Sequence, residues 1–140
     1  MKKILIVGFG SASKRHIKNL YTQDNNCFFF ILSRKKKINQ FFLKKSSYKH
    51  IKSINEIQGN KIKYSFICTG SNEHLKYLRI LYKYNHDIFI EKPVLESAKD
   101  INELDRILKK YKKKIFVGYN YLFNKTIKQK NKLNIKKEKI

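Results

Sequence analysis

Short apolar runs alternate with longer amphipathic segments along most of this chain. The apolar runs are rich in Ile, Val and Phe, and they lie at residues 3–7, 27–32, 64–68, 87–90 and 115–117. Continuous apolar runs are typical of strands that are covered on both faces, and strands alternating with helices are typical of a parallel sheet. The pattern therefore predicts an α/β fold, with a doubly wound, mostly parallel sheet between two layers of helices.

Three longer segments have apolar residues at helical spacing. The predicted buried faces are Ile17 and Leu20 in segment 13–21, Leu75, Leu78 and Leu81 in segment 73–84, and Ile101, Leu104 and Leu108 in segment 98–111. Ser97 is the expected N-cap of the last of these helices. Two shorter helices are predicted at 39–44 and 53–57, where Ser53 and Glu56 have the spacing of a capping box.

Length and composition favour one folded domain followed by a tail. The 140 residues suffice for a single core, and the 41% of hydrophobic residues make a packed core the expectation. Residues 125–140 are rich in Lys and have no apolar periodicity. We therefore expect a domain over 1–124 and a tail over 125–140 that does not fold alone. No membrane-length apolar run or signal peptide is evident, so a cytoplasmic protein is expected.

The formal net charge of +23 raises the alternative of a nucleic-acid or anionic-surface binder. Nearly all of the excess is Lys, which is spread along helix-like faces and the tail, whereas phosphate and base recognition favours the Arg fork. Abundant Lys, Ile and Asn also follow from adenine- and thymine-rich codons. A dedicated nucleic-acid role is therefore not the favoured interpretation. Cys27 and Cys68 lie within predicted strands without metal-site spacing, so core thiols and no metal are expected.

A glycine-containing loop follows the first predicted strand and leads into the first predicted helix. It comprises Gly8, Phe9, Gly10, Ser11, Ala12 and Ser13. A strand, a Gly-x-Gly turn and a helix form the context of a dinucleotide-binding fingerprint. Gly8 permits the tight turn, Gly10 lets the backbone approach a pyrophosphate, and the helix N-terminus offers free N–H groups. Ser13 occupies the position of the fingerprint's third glycine. An ordinary glycine turn remains the alternative on these residues alone.

The second predicted strand ends at Ser33 and Arg34. Enzymes that use NAD keep an acidic residue at this point for the ribose hydroxyls, and no carboxylate is present here. Ser33 could hydrogen-bond a 2′-phosphate and Arg34 could pair with it, so NADP is favoured over NAD. The alternative is that Arg34 only begins the solvated basic run at 34–37.

Three further motifs follow in order, each after its own predicted strand. They are Ile67-Cys68-Thr69 with Asn72 and His74, Glu91-Lys92-Pro93, and Val117-Gly118-Tyr119-Asn120-Tyr121. Together with Gly8-Phe9-Gly10, and with Arg15-His16 in the first helix, they make residues 2–124 resemble the N-terminal domain of the Gfo/Idh/MocA oxidoreductase family. The resemblance implies a Rossmann fold and an NADP or NAD cofactor.

The resemblance also implies roles for individual residues. Cofactor contacts would come from the glycine loop with Arg15, from Ser33 and Arg34, from Thr69, Gly70, Asn72 and His74, and from Glu91, Lys92 and Pro93. Lys92 would lie near the nicotinamide and polarise the reacting hydroxyl of the substrate, which makes it the candidate catalytic residue. The peptide bond before Pro93 is often cis in the family. Gly70 and Leu122 depart from the family pattern, in which a proline and an arginine are usual.

The function implied is NAD(P)-linked oxidation or reduction of a sugar, sugar nucleotide or cyclitol. Family members continue into a substrate domain that carries the proton-transfer residues, and this sequence ends at Ile140. We therefore expect little activity from the chain alone, and a truncated nucleotide-binding module is the main alternative. Expected partners are the dinucleotide, a sugar-type substrate, and either a second copy or a chain supplying the substrate domain. Apolar area near 119–123 is expected to be exposed.

Overall fold

A computed structural model describes residues 1–34, 38 and 47–119 of the chain. These residues form a sheet of six strands, namely β1 (Lys2–Val7), β2 (Cys27–Leu32), β3 (Tyr48–Ile51), β4 (Ile62–Ile67), β5 (Asp87–Ile90) and β6 (Ile115–Val117). The strand order is β3-β2-β1-β4-β5-β6, and every neighbouring pair is parallel. This is the order of a dinucleotide-binding doubly wound sheet, so the predicted α/β class is confirmed.

Three α-helices connect the strands: α1 (Ser11–Gln23), α2 (Ser71–Leu81) and α3 (Ile101–Lys110). Short 3₁₀ turns lie at Ile54–Ile57, Tyr82–Tyr84 and Ala98–Asp100. The capping box predicted at Ser53 is present, because its hydroxyl accepts from the Asn55 N–H and its own N–H donates to Glu56. The helix predicted at 39–44 and the tail at 125–140 lie outside the described residues.

The two faces of the sheet are covered by different helices. On one face, α2 and α3 bury Leu75, Leu78, Leu81 and Ile107 against the alternate side chains of β1, β2, β4 and β5. On the other face, Ile17 of α1 packs on Ile4, Ile6, Phe29 and Ile31. Both faces of the central strands are therefore buried, which explains why β1 and β2 are continuously apolar.

The α1 side of the sheet is covered only in part by the described residues. Over β4, β5 and β6 an apolar groove of about 370 Å³ remains, lined in part by Tyr64, Phe66, Phe89 and Phe116. The rings of Phe66 and Phe89 stack at 5.2 Å, and Phe116 is 49% exposed. This half of the sheet therefore presents aromatic side chains at the surface.

Two sequence-based expectations require correction. Strand β3 was not predicted, because its residues Tyr48, Lys49 and His50 are not apolar enough to mark a buried run. In α3, the face predicted from Ile101 and Leu108 is wrong, since these side chains are 55% and 45% exposed. The buried stripe runs instead through Leu104, Ile107 and Tyr111, which has the same spacing. The Tyr111 hydroxyl donates to the His86 carbonyl oxygen, and this bond fixes the rotation of the helix end.

In the described part of the chain, no helix has the length and apolar character needed to cross a membrane.

Candidate functional site

A cleft of about 510 Å³ opens at the carboxyl edge of the sheet, where β1 and β4 lie side by side. From these two central strands the sheet extends in opposite directions, through β2 to β3 and through β5 to β6. Ligands of doubly wound sheets bind at such a switch point. The described lining residues are Gly8, Phe9, Gly10, Leu32, Ser33, Arg34, Lys52, Cys68, Thr69, Gly70, Glu73 and Tyr77.

The two glycines of the first loop differ in their surroundings. Gly8 has φ +94°, and a Cβ at this position would meet the carbonyl oxygen of Cys68 at 2.8 Å. Gly8 is therefore required by the backbone, which brings the loops after β1 and β4 together. Gly10 lines the cleft, and a Cβ placed on it would meet no atom within 4 Å. The space at Gly10 belongs to the cleft rather than to the core.

Helix α1 begins directly beside this space. Gly10 is its N-cap, and the first bond of the helix runs from the Lys14 N–H to the Gly10 carbonyl oxygen at 3.2 Å. The N–H groups of residues 11–13 precede that bond and have no partner inside the helix. Ser13 is fully buried, and its hydroxyl donates to the Gly10 carbonyl oxygen at 3.0 Å. A small side chain thus fits where the fingerprint has its third glycine.

The wall of the cleft beyond β2 carries several charged groups. Arg34 lines the cleft and forms an ion pair with Glu73, the guanidinium and carboxylate lying 3.2 Å apart. Lys52 enters from the residue that follows β3, and its Nζ lies 3.4 Å from the Ser33 carbonyl oxygen. The His50 Nε2 lies 3.1 Å from the same carbonyl oxygen. Cationic groups thus surround the end of β2, with one carboxylate facing them.

His74 joins two loops at the carboxyl edge of the sheet. It is 1% exposed, its Nδ1 lies 2.8 Å from the Pro93 carbonyl oxygen, and its Nε2 lies 3.0 Å from the Thr69 carbonyl oxygen. Carbonyl oxygens only accept, so a neutral ring can donate to one of them and a doubly protonated ring to both. His74 therefore fixes the loops after β4 and β5 from within rather than facing the cleft.

Glu91 anchors the residue that follows β5. Its carboxylate lies 2.6 Å from Nε2 of His16 and 3.5 Å from the guanidinium of Arg15, both on α1. Lys92 is the next residue and is exposed, and the Lys92–Pro93 peptide bond is cis. Because Glu91 is tied to α1 and the Pro93 carbonyl to His74, the backbone is held on both sides of Lys92.

Cys68 lines the cleft but is not a nucleophile. Burial, and secondarily the charge of Glu91, raise the pKa of its thiol to about 12, so the thiol is protonated at neutral pH. Burial also raises the pKa of Cys27 above its ordinary value. Both cysteines are free and buried. Among the described residues, no group of His, Cys, Asp and Glu could hold a metal ion.

The structure places part of the predicted site in the cleft. Of the residues expected to contact the cofactor, the cleft is lined by Gly8, Gly10, Ser33, Arg34, Thr69 and Gly70. Ser11, Ala12, Ser13, Asn72 and His74 lie in the helices beside it, and Arg15, Glu91, Lys92 and Pro93 lie together at the α1–β5 contact. Sequence reasoning missed Lys52, Glu73 and Tyr77, because their place in the cleft depends on β3 and on the direction of α2.

The fold, the open space at Gly10 and the uncapped start of α1 define a dinucleotide-binding class of domain. The sequence matches the model of the oxidoreductase family Gfo/Idh/MocA, NAD-binding Rossmann fold, over residues 2–119, and the chain belongs to this family. None of the curated proteins matches.

Several solved structures share the fold. A probable dehydrogenase from Thermotoga maritima is 22% identical, with a TM-score of 0.73 over 91% of this chain and 39% of that one. The dehydrogenase WlbA from Chromobacterium violaceum, solved with NADH and UDP-GlcNAcA, is 15% identical, with a TM-score of 0.74 over 91% of this chain and 38% of that one. A Synechocystis biliverdin reductase, solved with biliverdin and NADP+, is 14% identical, with a TM-score of 0.63 over 82% and 37%. The chain spans only 40%, 34% and 37% of the first three solved chains it matches.

Proposed function

We propose that this chain binds NADP or NAD in the cleft at the carboxyl edge of β1 and β4. The observation that carries the proposal is the empty volume at Gly10, where a Cβ would meet nothing within 4 Å beside the start of α1. A pyrophosphate fits such a place, because the N-terminus of a helix supplies free N–H donors and a positive dipole end. Membership of an NAD-binding family supports the same ligand.

The residues around the cleft suggest how the dinucleotide is held. The amides of Ser11, Ala12 and Ser13 would donate to the pyrophosphate, because they have no partner inside α1. Thr69 lines the opposite wall, and its buried hydroxyl has no hydrogen-bond partner among the described residues. Gly70 and Asn72 begin α2 on this side. The loop at 69–72 thus offers polar groups toward the nicotinamide half of the cofactor.

The end of β2 supports a preference for NADP. Ser33 and Arg34 line the cleft where the adenosine ribose lies in this fold, and this end of β2 carries no carboxylate. A 2′-phosphate there would meet the Ser33 hydroxyl and compete with Glu73 for the Arg34 guanidinium.

Lys92 is the proposed catalytic residue. The chemistry supplied by the bound nicotinamide is hydride transfer, and the chain must hold a cation near the reacting hydroxyl of the substrate. Lys92 is exposed at the end of β5, and its neighbours Glu91 and Pro93 are tied to His16 and His74. An ammonium group in this position would stabilise the alkoxide character of the substrate oxygen. Arg15, which contacts Glu91, would support the same backbone.

The proposed reaction is oxidation or reduction of a sugar, sugar nucleotide or cyclitol. WlbA, solved with a sugar nucleotide, supports this substrate class. Because the chain spans about two-fifths of the solved relatives, we expect the 140-residue chain alone to bind nucleotide with little or no turnover. The substrate surface would come from further sequence or another chain. A binding module without catalysis is the second candidate, favoured by the same short span.

A fluorescence titration of the purified chain with NADPH and NADH tests the proposal. Wild type should bind at least one of them, and Gly10→Asp should abolish binding, because it places a carboxylate against the pyrophosphate. Lys92→Met should retain nucleotide binding, since Lys92 does not line the cleft. The proposal fails if wild type binds neither nucleotide, or if Gly10→Asp binds as wild type does.

A further inference from the structure

A cluster of polar groups at the end of β2 includes one cation that the sequence pattern does not reveal. Lys52 is 19 positions from Ser33 along the chain, yet its Nζ lies 3.4 Å from the Ser33 carbonyl oxygen and 3.3 Å from His50 Nε2. The parallel pairing of Leu32 with Ile51 brings it there, because Lys52 follows the last paired residue of β3. Lys52 thus lines the cleft beside Ser33 and Arg34.

Arg34 and Lys52 differ in what faces them. The Arg34 guanidinium lies 3.2 Å from the carboxylate of Glu73, so an anionic ligand must compete with that carboxylate for it. Among the described residues, the printed contacts of the Lys52 ammonium are with a carbonyl oxygen and an imidazole nitrogen, neither of which carries a negative charge. A phosphate can therefore pair with Lys52 without displacing a carboxylate.

We propose that Lys52 is the residue that sets the preference of this cleft for a 2′-phosphorylated dinucleotide. This inference rests on the proposed function and deepens it, because it names the group that distinguishes NADP from NAD. Lys52 would pair with the 2′-phosphate from the β3 side, Ser33 would hydrogen-bond it, and Arg34 would close on it from the α2 side. The adenosine ribose of NAD lacks that phosphate and would gain little from Lys52.

The test compares Lys52→Met with Lys49→Met in the 140-residue chain at one ionic strength. Lys49 is a matched control, since it lies on the same strand, pairs with Glu56 at 3.6 Å and does not line the cleft. The ligands are NADPH and NADH, with 2′,5′-ADP and 5′-AMP as probes of the phosphate alone. Lys52→Arg, which keeps the charge, is the rescue variant.

Lys52→Met should weaken NADPH and 2′,5′-ADP about tenfold or more, the scale of one charge-assisted hydrogen bond, and leave NADH and 5′-AMP within about twofold. Lys49→Met should change none of them by more than about twofold, and Lys52→Arg should restore most of the NADPH affinity.

Two outcomes separate the inference from the proposed function. If wild type binds nucleotides but Lys52→Met lowers NADPH and NADH affinity equally, or no more than Lys49→Met does, the inference is overturned and the dinucleotide site stands. If wild type binds none of the four ligands, the proposed function fails and the inference fails with it.

Discussion

At the scale of single residues, Gly8 and Gly10 have the same side chain and different tasks. Gly8 combines a positive φ with a 2.8 Å approach to the Cys68 carbonyl oxygen, so the fold depends on it. Gly10 has φ −97° and ψ −164°, which other residues adopt, and it borders open space. A requirement of the backbone and a requirement of the ligand are thus separated by two positions.

This separation predicts opposite effects of the same substitution. Gly8→Ala should lower the free energy of unfolding by about 1–3 kcal/mol through backbone strain, before any effect of the close contact. Gly10→Ala should change it by less than about 1 kcal/mol but weaken nucleotide binding. Chemical denaturation of both variants measures the first quantity, and nucleotide titration measures the second. Equal destabilisation by the two substitutions would show that Gly10 also serves the fold.

At the scale of elements, the apolar runs were sufficient to predict the central strands and the order of the three main helices. Strand β3 could not be predicted in this way, because only Ile51 of its four residues is buried. Its position comes from pairing with β2, a contact that no local pattern contains. Lys52 was missed for that reason, whereas Ser33 and Arg34 were found because they follow an apolar strand.

The contact of β4, β5 and the end of α3 predicts a dependence of stability on pH. His86 precedes β5 and contacts the Ser65 hydroxyl of β4, and its carbonyl oxygen accepts from Tyr111. Burial lowers the pKa of His86 below its ordinary value of 6.5, an effect that the Tyr84 carbonyl and then Asp87 partly offset. Around that pH the unfolded chain therefore binds more protons at this position than the folded chain.

The contribution of His86 to stability should accordingly be complete above about pH 6.5 and be lost as the pH falls through the lower folded-state pKa. Urea denaturation of wild type between pH 7.5 and 5 should show this decrease, and His86→Asn should remove part of the slope. His50→Asn is a control, because His50 is only half-buried on β3. Identical slopes for wild type and His86→Asn would contradict the assignment.

At the scale of the whole molecule, the two faces of the sheet are unequally covered by the described residues. The groove over β4, β5 and β6 presents Phe66, Phe89 and Phe116 on the α1 side. Tyr119, just beyond β6, is also 52% exposed, and residues 120–123 of the predicted apolar stretch lie outside the described ranges. Contiguous apolar area of this kind favours dye binding and association.

Phe116→Ser should therefore reduce the fluorescence of the apolar dye ANS bound to the native chain, with little loss of stability because Phe116 is 49% exposed. Ile101→Ser is the matched control, since Ile101 is 55% exposed on α3 and lies outside the groove. Dye fluorescence and the sedimentation coefficient of each variant give the comparison. The groove is not the dye-binding surface if both substitutions reduce the signal equally.

Hydrogen–deuterium exchange of the 140-residue chain with and without saturating NADPH most directly tests the central claim, which is a dinucleotide site at the carboxyl edge of β1 and β4. NADPH should slow exchange at residues 11–13, where amides lack partners inside α1, and in the loop at 69–72. Exchange near Lys61, Lys63 and Lys113, a basic region lining a separate cleft, should not change. Protection confined to that basic region, or no protection at 11–13, would contradict the account.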